Sequence, residues 1–383
     1  MMRTMIRATQ RQRVLASVCT LALCTSLIYA QRLTWIPNPF TPSGGVPETR
    51  IVTYGLTNQG ILFVRYQQGD YYHTYRWKDN ELLKLTPSSN DTITSSATED
   101  GSIVLYIGQH SYFWKPSGLV YVNIPRYAAY CTPSGNVIVG QDYDHGYVPY
   151  IWENNTINYL PLLSGYPYGE AKRVTEDSRF VVGSCITSST IQAVLWTFSN
   201  NTYQVQGLGT LGGQESRGGA ISEDGAIVAL NAQNAAGNWR AAVWRANAAS
   251  LTELPHLGGD ISSVSLYSTE HLGMTSDGQY IVGYSYTSEN QRRAVRWTRQ
   301  ADGSYQVEDL NTTYADLLGS DILLHAISIS RDGRYIAGVG NHGGELQVFI
   351  LDTRFCDLPD VTGDGNVDDA DLLEVLFKFG SGC

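Results

Sequence analysis

One short pattern, a turn followed by an apolar strand, is written seven times along this chain, and it constrains the fold more than any other property of the sequence. The copies read GLTNQGILFV from Gly55, SATEDGSIVLY from Ser96, YCTPSGNVIVG from Tyr130, RVTEDSRFVVG from Arg173, AISEDGAIVAL from Ala220, GMTSDGQYIVG from Gly273 and SISRDGRYIAG from Ser328. Their turn positions, Gly60, Gly101, Gly135, Ser178, Gly225, Gly278 and Gly333, are separated by 41, 34, 43, 47, 53 and 55 residues. This brackets the ~40 to 50 residues of a four-stranded propeller blade. Each copy is followed by an aromatic in an apolar strand: Trp77, Trp114, Trp152, Trp196, Trp244 and Trp297, with Phe349 in the seventh place. Asp-Gly and Ser-Gly supply the positive φ of tight turns, and β-branched and aromatic residues fill the runs on either side. The expected fold is therefore all-β, a seven-bladed β-propeller over residues 31–355.

Counting strands sharpens this. The sixth copy reads as four, His271 to Thr275, Gln279 to Tyr284, Arg292 to Thr298 and Tyr305 to Leu310. The seventh comes up one short, because after Leu346 to Leu351 the chain passes directly to Asp352 and Cys356. At the other end, Arg32 to Ile36 is an apolar strand with no repeat of its own. The two defects cancel if the N-terminal strand completes the last blade, which also removes an exposed sheet edge.

Residues 1–30 have the zones of a secretory signal: Arg3, Arg7, Arg11 and Arg13, an apolar run from Val14 to Ile28, and small Ala30 before Gln31. No later segment approaches the ~20 apolar residues of a membrane span, so the mature chain is expected to be secreted or held at the cell surface. The formal charge of −10 becomes −14 when those four arginines leave, which argues against nucleic acid or an anionic membrane as partner. Cys19 and Cys24 leave too. Of the remaining four cysteines, Cys356 and Cys383 flank the C-terminal segment and are the expected disulfide, while the pairing of Cys131 and Cys185 is left open.

GLGTLGGQESRGGAISEDG, from Gly207 to Gly225, resembles the bacterial extracellular HAF repeat, and LPHLGGDIS with HLGMTSDGQYIVG, between Leu254 and Gly283, is similar to it. Copies one to three lack the Leu-Gly-Gly lead-in. The resemblance implies export and a propeller, with no assigned chemistry.

Residues that carry catalysis in other proteins find no pattern here. The Ser-x-Asp-Gly turn is like the sialidase Asp box without its Trp, so Asp100, Asp224, Asp277 and Asp332 are expected to bond backbone N–H groups in their turns. There is no G-x-S-x-G elbow and no zinc spacing among the seven histidines. Glu153, Glu170, Glu215, Glu270 and Glu289 lie near blade loops, and a hydrolase or lyase acting on polysaccharide is the alternative they leave open. The tyrosines are more suggestive. Tyr66, Tyr71, Tyr72 and Tyr75 form one cluster, and Tyr143, Tyr147, Tyr150, Tyr166 and Tyr168 another, in or beside loops that follow second and fourth strands. Those loops share one face of a propeller. Tyr143, Tyr147, Tyr166 and Tyr168 are the candidate ligand face, for a carbohydrate or protein.

The tail, residues 356–383, carries a twelve-position calcium loop, DVTGDGNVDDAD, with acids at positions 1, 5, 9 and 12 and Gly365 at position 6. Asp360, Thr362, Asp364, Asp368 and Asp371 offer side-chain oxygens and Asn366 its carbonyl, a hard-oxygen set suited to Ca2+. Leu372, Leu373, Val375, Leu376, Phe377 and Phe379 then give a short apolar helix. Loop and helix together resemble one half of a dockerin. A dockerin carries two such segments to bind a cohesin, and this chain has one, so calcium is the expected ligand and cohesin is not an expected partner.

Overall fold

The computed structural model describes residues 33–39, 51–68, 71–85, 92–107, 110–125, 127–264 and 273–353, with Asp369, Leu372 and Leu373 beyond them. Its strands, numbered β1 to β28 in chain order, form seven four-stranded antiparallel sheets. Six of these take four consecutive strands each, within residues 51–84, 92–122, 127–159, 168–207, 212–253 and 258–309. The seventh holds β26 (Ile322–Ile329), β27 (Tyr335–His342), β28 (Glu345–Asp352) and, on its outer side, β1 (Leu33–Ile36). Leu33 pairs with Leu351 and Ile36 with Val348, so the N-terminal strand closes the ring as the strand count requires.

The seven turns share one construction. In the fifth blade the Ser222 hydroxyl donates to Asp224 at 2.6 Å and accepts the Ile227 N–H at 3.0 Å, while Asp224 accepts the Ala226 N–H at 2.9 Å. Thr98 with Asp100, Thr175 with Asp177, Thr275 with Asp277 and Ser330 with Asp332 repeat the hydroxyl-to-carboxylate bond. The aspartates are turn residues. A glycine in the following strand is fixed by close approach: a Cβ on Gly183 would lie 2.0 Å from the Glu170 carbonyl oxygen, and on Gly338 2.0 Å from that of His325. In both blades the first strand bulges there, at Ala171/Arg173 and at Ala326/Ser328.

The tryptophans pack between blades, in register with one another. Val181 opposes Trp196 and Ile281 opposes Trp297, and both indoles are fully buried. Each donates its N–H to the carbonyl of a proline entering its blade, Trp196 to Pro161 at 2.6 Å and Trp297 to Pro255 at 2.7 Å. The seventh place belongs to Leu351, not Phe349. Ile336, the counterpart of Val181, opposes Leu351, and Phe349 lies two residues away opposite Gly338. There the bulk comes from the closing strand, where Trp35 meets Phe349 edge-on at 6.0 Å.

Two long repeats contain insertions. In the sixth blade the first strand is β22 (Gly258–Val264); of the expected His271 to Thr275, Met274 bridges to Ile281, and His271 and Leu272 lie outside the described residues. Val264 pairs with Gly283 and Met274 with Ile281, and residues 265–272 between them lie outside the described residues. In the seventh, helices α1 (Leu310–Thr313) and α2 (Ala315–Leu318) precede β26.

Because strands alternate in direction, the turns between first and second strands gather on one face. They bond turn to turn: Asn58 N–H to Glu99 Oε2, Glu99 N–H to the Pro133 carbonyl, Glu176 N–H to Glu223 Oε2, Glu223 N–H to the Ser276 carbonyl, and Ser276 N–H to that of Arg331. Asp332 N–H donates to Asn58 Oδ1 and brings the series back to the first blade. Arg331 crosses from the seventh blade to Glu223 in the fifth and to the Tyr130 hydroxyl in the third. The cavity beside it measures about 10 Å3, room for about one water.

The calcium-loop residues Asp360, Thr362, Asp364, Asn366, Asp368 and Asp371 and the cysteines Cys356 and Cys383 lie outside the described residues. Asp369, Leu372 and Leu373 are helical, the two leucines exposed. Among the described residues no helix is long and apolar enough to cross a membrane.

Candidate functional site: a tyrosine ridge on the face of the third and fourth blades

The face opposite the turns carries the connections that follow second and fourth strands. In the third blade, β11 (Val137–Asp142) and β12 (Val148–Glu153) are joined by residues 143–147, and β13 (Thr156–Tyr159) leads across to β14 (Tyr168–Val174). The loop is organised from below by Asp142. Its carboxylate is almost wholly buried and accepts the backbone N–H groups of Asp144 at 3.1 Å and His145 at 3.2 Å. It also accepts the Tyr159 hydroxyl at 2.8 Å and pairs with His145 Nδ1 at 2.7 Å. The Tyr159 phenol is pushed up to about 12, by partial burial first and then by its bond to the Asp142 carboxylate and that group's charge.

Over this base stands a run of phenol rings. Tyr127, at the start of β10 (Tyr127–Cys131), stacks on Tyr143 with centroids 5.5 Å apart and planes 29° apart. Tyr143 meets Tyr147 at 5.3 Å and 57°, and Tyr147 meets Tyr168 at 5.9 Å and 79°. Tyr143, Tyr147 and Tyr168 are 38%, 51% and 41% exposed, a contiguous aromatic surface.

Tyr147 stands in the left-handed region at φ 61°, the one aromatic residue to do so among the described residues. This conformation costs a side chain about 1–3 kcal/mol and persists only where its surroundings hold it. Here the Tyr147 carbonyl accepts the Gly169 N–H at 2.9 Å and Gln141 Nε2 at 3.4 Å, fixing it between the two connections. Gln141 is otherwise committed to the Gly169 carbonyl at 2.9 Å.

The structure thus brings together Tyr143, Tyr147 and Tyr168 and leaves Tyr166 out. Tyr166 donates its hydroxyl to Gln192 at 3.0 Å and packs with Leu162 and Leu163 on the core. Tyr150 is wholly buried, its hydroxyl on the Tyr127 carbonyl. In the other cluster Tyr66 and Tyr75 are core residues of the first blade, edge to face at 5.7 Å, rather than loop residues. Tyr127, Asp142, His145 and Tyr159 are the residues that sequence reasoning missed. The Asp-Tyr-Asp-His string was the available signal for the loop.

Three of the five glutamates considered for catalysis are engaged elsewhere, and Glu289 is exposed. Glu170 pairs with Lys172 at 2.8 Å, Glu215 with Arg217 at 3.9 Å, and Glu153 accepts the Ser178 hydroxyl at 3.2 Å. Glu270 lies outside the described residues. At the axis, Glu223 is held by Arg331 and Glu99 accepts the Asn58 N–H. Burial raises the Glu99 carboxyl, against the lowering effect of that N–H and of Arg331.

No protein-family model and no curated protein matches the chain. Among solved structures it is similar to a puromycin hydrolase S511A mutant, at 13% identity over 85% of this chain and 57% of that one, with a TM-score of 0.51. It is likewise similar to an oligogalacturonate lyase from Vibrio parahaemolyticus, at 11% identity over 86% and 97% of the two chains, TM-score 0.50. TolB from Acinetobacter baumannii matches at 18% identity and a TM-score of 0.43, and this chain spans 65% of its length. At these identities the likeness is one of fold, and the fold is a seven-bladed β-propeller.

Proposed function

We propose that this is an exported, non-catalytic binding protein, whose ridge of Tyr143, Tyr147 and Tyr168 contacts a carbohydrate or protein ligand and whose C-terminal loop binds calcium. The observation that carries the reading is the strained, doubly anchored Tyr147 at the centre of exposed rings. A fold has no need of a tyrosine in that conformation at its surface, and backbone outliers concentrate at functional positions. Loops on a rigid scaffold are also where binding residues are usually placed. The export half of the proposal is supported by residues 1–30, and calcium by the register of Asp360, Thr362, Asp364, Asn366, Asp368 and Asp371 around Gly365.

The test is a binding screen of the 31–383 chain against immobilised glycans and extracellular proteins, alongside the double variant Tyr143→Ala/Tyr168→Ala. Both rings are surface side chains, so the variant is expected to melt within a few degrees of the parent and to lose about tenfold or more in affinity for any ligand of the ridge. Equal affinity for parent and variant would remove the ridge from the function. N-terminal sequencing of the exported chain is expected to begin at Gln31.

A further inference from the structure

The geometry points to one class of ligand for the ridge: we infer that it binds an extended, proline-rich peptide bearing a basic residue. This rests on the tyrosine face being the binding surface, and three observations select the ligand from among those such a face could take.

The first is the cant of the rings. Tyr143 and Tyr147 are inclined by 57° and Tyr147 and Tyr168 by 79°, so successive rings are canted, the last pair edge to face. They make steps, not the level platform on which a flat glycan surface stacks. A polyproline II helix has three residues per turn and rises ~3.1 Å per residue, so its pyrrolidine rings project as ridges that seat between canted aromatics.

The second is the supply of polar groups. A glycan brings many hydroxyls, each needing a partner once it is buried. The polar side chains beneath the ridge are already committed, Gln141 to two backbone carbonyls and Asp142 to two N–H groups, Tyr159 and His145. What the ridge exposes are the phenols of Tyr147 and Tyr168 and the imidazole of His145, whose side chain is 68% exposed. These can all donate. A polyproline II peptide, with no internal hydrogen bonds, presents backbone carbonyls that accept.

The third is charge. Asp144 is exposed at the centre of the loop, between Tyr143 and His145. The whole chain is acidic, at −10. A lysine or arginine flanking the proline segment would meet Asp144 and fix the direction in which the peptide lies, as such charges usually do at rims.

The experiment is fluorescence anisotropy with a labelled oligoproline ending in arginine, against the 31–383 chain. Controls are a Gly-Ser peptide of the same length and charge, and soluble cello-, xylo- and galacturono-oligosaccharides. The expected result is saturable binding of the oligoproline alone. Affinity should fall about tenfold or more in Tyr168→Ala, and severalfold in Asp144→Asn with a weaker dependence on salt. Circular dichroism and melting of both variants establish that they fold. If a glycan binds instead and Tyr168→Ala abolishes it, the peptide assignment is overturned and the binding face stands. If neither probe binds, or binding ignores the tyrosine substitution, the peptide assignment is overturned, and the second outcome removes the ridge as well.

Discussion

At the scale of single residues the turn hydroxyls carry much of the fold's definition. Ser222 is completely buried and serves the Ile227 N–H, so Ser222→Ala strands a buried donor. A loss of about 1–3 kcal/mol is expected in urea unfolding, whereas the exposed Ser189 serves as a neutral control. The turn carboxylates set the acid limit. Asp100 is held low by the Thr98 hydroxyl, and in Asp224 the upward effect of burial is outweighed by the Ser222 hydroxyl and the Ala226 N–H. Their contribution is present above the ordinary aspartate value near ~3.9 and disappears as pH falls below it through the lowered folded value. At the alkaline end the sign is the reverse in pH. Burial pushes Tyr130 and Tyr305 up to about 12. The fold therefore favours the neutral phenol, with full effect below the ordinary tyrosine value near ~10 and progressive loss as pH rises from there through the folded value. Melting temperature followed across both ranges should fall at each end, and a flat alkaline limb would show that these phenols ionise without unfolding.

At the scale of elements, the closing strand makes the sharpest prediction. Ile36 is fully buried and Trp35 packs on Phe349 and on His342 at 4.9 Å, so removing residues 31–36 strips an interface and bares the β28 edge. The shortened chain should elute as aggregates or strand-exchanged oligomers, and Ile36→Ala in the intact chain should cost about 2–5 kcal/mol. A monomeric, equally stable deletion would mean that β1 is ornamental. This closure was legible in the residues because a strand deficit at one terminus matched an excess at the other. The turns were legible because each needs a hydroxyl and a positive φ at set positions, with an aspartate between them in five of the seven. The inner strand of the sixth blade was not, since Val264 and Met274 are far apart in sequence and only their shared pairing with β23 (Tyr280–Thr287) joins them. Nor was Leu351 distinguishable from Phe349 in the seventh blade, where only the register opposite β27 decides. Three of the four ridge rings, Tyr143, Tyr147 and Tyr168, were visible in tyrosine-rich loops, but Tyr127 joins them from a different strand, an adjacency with no trace in local spacing.

At the scale of the whole molecule the two faces differ in kind. One is sealed by turns bonded across the axis through Arg331, and the other carries the connections and the exposed tyrosines. On the proposed reading, the ligand meets the second. The C-terminal segment is expected to behave as a separate thermodynamic unit. Calorimetric titration of Ca2+ should show a single site in the parent chain, abolished or weakened at least tenfold by Asp364→Ala, with the tyrosine ridge's ligand affinity unchanged. Indistinguishable titrations of parent and variant would withdraw the calcium assignment.

The pairing of Leu33 with Leu351 has a further meaning for the order of events on the ribosome. The strand made first finds its place only beside one of the last made, so until the seventh sheet emerges the circle stays open and its earliest segment waits unplaced. The ring cannot close before β28 has been made, so passage through an export pore during synthesis, on the proposed reading, would meet a chain whose circle is still open.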